Sequence, residues 1–76
     1  MRTLRFRLRI PPEELEQFYR GDVQMVRAMS DTGLRVAFNA RHLRPFVTMR
    51  GVHGRFVMEL DEENRMLSLR QLEAFS

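Results

Sequence analysis

Two short segments in the middle of the chain concentrate side chains that bind anions. They are residues 41–46 and residues 50–55, and between Asp31 and Glu59 the sequence contains no acid. Every basic residue in the chain is arginine, whose planar set of N–H donors matches phosphate and carboxylate oxygens better than lysine does. The candidate residues for binding an anionic partner are therefore Arg41, His42, Arg44, Arg50, His53 and Arg55.

Two interpretations of this basic interval stay open at the level of sequence. The acids cluster at 13–16 and 59–63. If they meet the arginines in the fold, the charges cancel as surface pairs, each of which contributes little. If they do not, the segment binds a nucleic acid or an acidic protein surface. A segregated surface also supports self-association, basic patch against acidic patch.

Both segments are predicted to lie on connections between strands. Arg41 and Arg44 would share a face if residues 40–43 form a helical turn. Gly51 and Gly54 are predicted to bracket a turn, in which backbone N–H groups either converge on an anion or close an ordinary reversal of the chain.

The sequence offers few residues for catalysis or for metal binding. The chain has no cysteine and only two histidines, which are too few ligands for a zinc site unless acids join them. No serine lies in a nucleophile-elbow motif, and the acids have the pattern of solvated faces. We therefore expect no enzyme activity, no cofactor and no metal.

The elements that must position these residues follow from the apolar periodicity. Residues 2–10 alternate as a half-buried strand. Its apolar face carries Leu4, Phe6, Leu8 and Ile10. Arg5, Arg7 and Arg9 form the other face, where they would protect a sheet edge, pair with acids across strands or follow a phosphate backbone.

A helix is predicted over 12–20, because Pro12 suits its first turn and Gly21 its end. Strands are predicted over 23–29 and 34–38, joined as a hairpin by the turn at 30–33. Residues 39–46 form a connector, and residues 46–49 are ambiguous. Strands at 56–60 and 65–72 follow, separated by the polar turn 61–64, with Leu67 and Leu69 on one face.

This pattern predicts an α+β domain spanning residues 1–76. Its strands are mainly antiparallel, and about five of them curl into a small partial barrel with one short helix after the first strand. No apolar run is long enough to span a bilayer or to act as a signal peptide, so we expect a cytoplasmic protein.

The sequence resembles the short bacterial proteins of domain of unknown function 2835. The resemblance is carried, in this order, by residues 4–8, 18–21, 41–46, 51–56 and 60–64. The resemblance covers nearly the whole chain, and its most specific parts are Arg44-Pro45-Phe46 and His53-Gly54-Arg55-Phe56. Pro11-Pro12 departs from the polar helix start expected of the family. The resemblance implies a small stand-alone bacterial protein without assigned activity, and it supplies no catalytic residues.

The sequence therefore predicts a non-enzymatic binding or adaptor module that uses residues 41–55 against an anionic partner. The alternative is a structural protein that forms a homodimer. Its interface would be lined by Met25, Met29, Met49 and Phe75.

Overall fold

The computed structural model describes residues 1–21 and 24–75, and within them the strands are antiparallel and form two open sheets. The sheets have the orders β1-β4-β5 and β2-β3. The predicted antiparallel character and the five strands are confirmed, whereas the predicted partial barrel is wrong because the sheets do not close. The elements are β1 (Arg2–Ile10), α1 (Pro12–Tyr19), β2 (Met25–Met29), β3 (Arg35–Asn39), a 3₁₀ helix (Ala40–Phe46), β4 (Val52–Leu60) and β5 (Met66–Ala74).

Strand β1 pairs with β4 along its whole length, from Arg2 opposite Leu60 to Ile10 opposite Val52. Its alternation buries one face completely, as the sequence predicts. Phe6 is central to the core, with its ring centroid 5.8 Å from that of Phe38 and 6.0 Å from that of Phe56. The apolar side of this strand therefore holds both sheets together.

Helix α1 begins at Pro12 as predicted and ends one residue before the predicted end. Glu13 and Glu14 lie in its first turn, where the helix dipole favours negative charge. Leu15 is buried in the core, and Phe18 packs against it. The helix therefore covers the core through one short stripe, while Tyr19 at its end is 42% exposed.

The hairpin of β2 and β3 contributes Val26, Val36 and Phe38 to the core. The predicted start of β2 at Val23 lies outside the described residues. The hairpin turn contacts the free edge of β1, because the Asp31 amide donates to the Arg5 carbonyl oxygen at 2.8 Å and Phe6 forms an isolated bridge with Ser30. This short contact joins the two sheets without closing a barrel.

Strand β4 is the central strand of its sheet and begins at Val52, so the predicted turn between Gly51 and Gly54 is wrong. The turn lies at Thr48–Gly51 instead, where the Gly51 amide donates to the Thr48 carbonyl oxygen at 3.0 Å. Gly54 lies within β4, and a Cβ atom there would collide with the Glu73 carbonyl oxygen. Its role is to allow a close backbone approach rather than a reversal of the chain.

Strand β5 pairs with β4 with two irregularities. Glu59 pairs with Ser68 whereas Leu60 pairs with Met66, which leaves Leu67 as an extra residue. Leu67 is 58% exposed and Leu69 packs on the core, so the prediction that they share a face is wrong. A bulge interrupts the alternation on which that prediction relied.

Candidate anion-binding surface

The 3₁₀ helix holds the first basic segment against the core. Asn39 caps it, because its side-chain oxygen accepts a hydrogen bond from the Arg41 amide at 2.9 Å. Leu43 is fully buried, and the Phe46 ring meets Phe56 edge-on at 5.3 Å between centroids. Apolar anchors thus fix the backbone, while the arginine at 44 remains exposed.

Arg41 and Arg44 line one cleft of about 140 Å³, together with Phe18, Tyr19 and Gln24. The Arg44 guanidinium carbon lies 5.5 Å from the centroid of the Tyr19 ring. The Tyr19 hydroxyl donates to the Ala40 carbonyl oxygen at 3.4 Å. The cleft therefore combines two guanidinium groups with an aromatic ring, which is the chemistry that holds a planar or phosphate-bearing anion.

Arg50 and His53 line a second pocket of about 260 Å³ with Arg9 and Phe75. His53 Nε2 donates to the Arg50 carbonyl oxygen at 2.7 Å, and the Thr48 hydroxyl accepts from the Arg50 amide at 3.2 Å. The Arg9 guanidinium carbon lies 4.8 Å from the Phe75 ring centroid. This pocket repeats the combination of arginines and one aromatic ring.

The two remaining predicted residues lie in neither of these cavities. Arg55 is on β4, directly opposite Arg7 of β1, and its Nη2 atom lies 3.9 Å from the carboxylate of Asp31. His42 is half-buried. The six predicted residues therefore divide into two basic cavities, one residue on the sheet and one partly buried in the helix, rather than forming one cluster.

Four acids of the two acidic clusters pair with other arginines. Glu16 lies 3.6 Å from Arg20, and Glu59 lies 3.7 Å from Arg70. Arg65 contacts both Asp61 and Glu63, at 3.1 and 3.0 Å. Within residues 1–21 and 24–75, the ion pairs thus leave the guanidinium groups of Arg41, Arg44 and Arg50 without an acidic partner.

The carboxylate of Asp61 organises the polar turn that the sequence predicts. It accepts from the amides of Glu63 and Arg65, each at 2.8 Å, and from Arg65 Nε at 3.1 Å. The hydrogen bond from the Arg65 amide is the largest influence, and together these bonds hold the pKa of Asp61 below its ordinary value despite opposing desolvation. The Asp61 carboxylate is therefore engaged by hydrogen bonds within the turn itself.

Sequence reasoning missed Arg9, Tyr19 and Phe75 as members of the two cavities. Alternation correctly placed Arg9 on the outward face of β1, but only the pairing of β1 with β4 brings it to His53. Tyr19 reaches the 3₁₀ helix through a contact across 21 positions in sequence. No local pattern signals such a contact.

Two further findings concern the described part of the chain. It holds no group of three or more histidine, cysteine or acidic residues placed to bind a metal ion. None of its helices is long and apolar enough to cross a membrane.

Comparison with known proteins identifies the family. The model of the family described as Protein of unknown function (DUF2835) matches residues 2–72, and the chain belongs to this family. No curated protein and no solved structure matches the chain significantly.

Proposed function

We propose that this member of the DUF2835 family is a non-enzymatic binding module that engages an anionic partner through residues 41–55. The observation that supports it is the charge distribution: in the described residues five acids form ion pairs, with Arg20, Arg55, Arg65 and Arg70, and none of them pairs with an arginine of the two cavities. As part of the same proposal, the module acts in the bacterial cytoplasm.

The geometry favours recognition of an anion over simple solubility. A guanidinium group that rests on an aromatic ring keeps its N–H edge directed to solvent, and it loses less freedom when it binds. Arg44 rests on Tyr19 and Arg9 rests on Phe75, so each cavity has one such oriented arginine. The second arginine of each cavity, Arg41 or Arg50, adds charge beside it.

Salt-dependent binding tests the proposal. Fluorescence anisotropy with labelled mixed-sequence oligonucleotides, and with nucleotides as competitors, should show affinity that falls steeply between about 50 and 200 mM salt. The variant Arg41→Gln/Arg44→Gln/Arg50→Gln should bind at least about tenfold more weakly at low salt, since it loses about three counterion-releasing contacts.

The matched control is Arg20→Gln/Arg27→Gln/Arg35→Gln, which removes the same charge from exposed positions elsewhere. It should retain most of the affinity. An equal loss in the control would show that net charge alone drives binding. Absence of binding, or binding that salt does not weaken, contradicts the proposal.

Self-association is the second candidate, and exposed methionines favour it. Met25 and Met29 are 43% and 54% exposed and project from the same face of β2, whereas Met49 is exposed in the turn before β4 and Phe75 packs under Arg9. Light scattering during size-exclusion chromatography tests this. A homodimer that Met25→Ser/Met29→Ser dissociates supports it, and a strict monomer at high concentration contradicts it.

A further inference from the structure

One face of the three-stranded sheet points away from the core and is mainly basic. Its β1 column carries three arginines, the neighbouring β4 column carries His53, Arg55 and Glu59, and the β5 column carries Arg70 and Glu73. The register places Arg7 opposite Arg55 and Arg9 opposite His53. We define the arginine ladder as Arg5, Arg7 and Arg9.

The ladder repeats at even spacing along β1. Successive arginines are two residues apart on an antiparallel strand, which spaces them by about 6.8 Å. All three are exposed, and none forms an ion pair with an acid of residues 1–21 or 24–75. The nearest ion pair on this face joins Arg55 to Asp31. The ladder is therefore a regular row of positive charge.

The register also opposes two like charges. Arg7 and Arg55 lie directly opposite each other, an arrangement that destabilises an antiparallel pair. A polyanion lying along β1 would relieve this repulsion. Asp31 pairs with Arg55, but Arg7 itself forms no ion pair within residues 1–21 and 24–75, so a bound anion would supply the partner that Arg7 lacks.

Buried Val57 shows how the face is covered. It points to the outer face and is only 2% exposed, yet it is not part of the core cluster. Its neighbours in register are Arg5 and Arg70, and arginine side chains commonly cover apolar surface with their aliphatic stems. Consequently none of the outward residues of β1 and β4 is an exposed large hydrophobic side chain.

We propose that this face binds single-stranded nucleic acid, with successive phosphates along the arginine ladder. The inference rests on the proposed function and names the class of its anionic partner. Protein partners are held by a buried apolar or aromatic centre, which the β1 and β4 columns lack. Interfaces with nucleic acid are polar and strongly basic, as the β1 column of this face is.

The end of the ladder favours a single strand over a duplex. Arg9 lies over Phe75 and shares a pocket with Arg50 and His53, so the ladder continues into the second basic cavity. An unpaired base can stack on an aromatic ring or a guanidinium plane there, whereas a paired base is inaccessible.

Anisotropy with a labelled oligothymidylate of about 12 nucleotides tests the inference, because that length lies within the usual site size of small single-strand-binding domains. Arg5→Gln/Arg7→Gln/Arg9→Gln should weaken binding at least tenfold. The slope of log affinity against log salt should become smaller by about 2, because about 0.7 is lost per phosphate contact. The control is again Arg20→Gln/Arg27→Gln/Arg35→Gln, which should change neither strongly.

A single substitution separates binding from folding. Arg7→Glu replaces the repulsion across from Arg55 with an attraction, so the thermal midpoint should be maintained or rise while affinity for the oligothymidylate falls. A fall in both would overturn the argument that Arg7 serves binding at the expense of stability.

Other outcomes have distinct meanings. Equal or tighter binding of a 12-base-pair duplex or of polyglutamate by the wild-type protein overturns the single-strand inference. If the ladder variant binds normally but Arg41→Gln/Arg44→Gln/Arg50→Gln does not, the inference fails and the proposed function stands. If the wild-type protein binds none of these anions, both fail.

Discussion

The turn at 61–65 and the connection between β3 and β4 are both charged, but their charges have different partners. Residues 41–50 of that connection are called the basic segment below. In the turn, the Asp61 carboxylate binds two amides and the Arg65 side chain, and Glu63 also contacts Arg65. In the basic segment, Asn39 and Thr48 satisfy backbone amides, while the arginines meet no acid of the described chain.

The contrast shows that the spacing of opposite charges, rather than their number, decides what a charged loop can do. Asp61 and Arg65 are four residues apart around a reversal, so they satisfy each other locally. The nearest acid in sequence to Arg41 is ten positions away at Asp31, and that carboxylate is used by Arg55. The charges of the turn are thus paired within it, whereas the arginines at 41, 44 and 50 have no acidic partner in the described residues.

The largest expected effect comes from the glycine that seats the basic segment on β1. Gly51 has φ of +98°, and a Cβ atom there would collide with the Ile10 carbonyl oxygen. Gly51→Ala should lower the free energy of unfolding by about 3 kcal/mol or more. In the acidic turn Asn64 also has positive φ, at 64°, but it is exposed, so Asn64→Ala should cost only about 1 kcal/mol. Urea denaturation measures both, and equal losses would contradict the contrast.

The next effect is the loss of the acid that organises the turn. Asp61→Ala removes three hydrogen bonds and should lower the thermal midpoint more than loss of a single cap does. Because the folded pKa of Asp61 is lowered, its stabilising effect is complete above the unfolded pKa and disappears as pH falls through the folded pKa. Asp61→Asn should therefore flatten the acid limb of the thermal midpoint against pH. An unchanged acid limb would contradict this role.

A smaller effect is expected at the cap of the basic segment. Asn39→Ala removes the acceptor for the Arg41 amide and should lower the free energy of unfolding by about 1 kcal/mol. Asn39→Asp keeps an acceptor and serves as the control. Chemical denaturation of the two variants measures the difference. Equal stability of Asn39→Ala and the wild-type protein would show that the Asn39 cap does not stabilise the fold.

The smallest effect concerns the arginines themselves. Arg41→Gln/Arg44→Gln should change the free energy of unfolding by no more than about 0.5 kcal/mol, because exposed side chains without ion pairs contribute little to stability. Thermal denaturation monitored by circular dichroism tests this. A loss well above 1 kcal/mol would mean that these residues serve the fold rather than a partner.

Local patterns predicted much of the fold. The alternation of β1, the proline start of α1 and the turn between β2 and β3 were sufficient to place those elements. The polar turn at 61–64 was also predicted, but the ion pairs of its acids with Arg65 were not. The spacing of Asp61 and Arg65 contained that signal.

The errors arose where distant parts of the chain meet. Gly54 was assigned to a turn because the sequence does not reveal that β5 passes close to its backbone. The single isolated bridge between Phe6 and Ser30 could not be distinguished from barrel closure. The division of the basic residues between two cavities depends on Tyr19 and Phe75, which reach them only through tertiary packing.

The bulges of β5 affect how readily copies of the protein aggregate through their sheet edges. β5 forms an outer edge of its sheet, and an edge strand is a template on which a further strand can add. The extra residues Leu67 and Leu72 break its pairing pattern twice. A strand from another molecule would lose register after a few residues, which disfavours growth of a continuous intermolecular sheet.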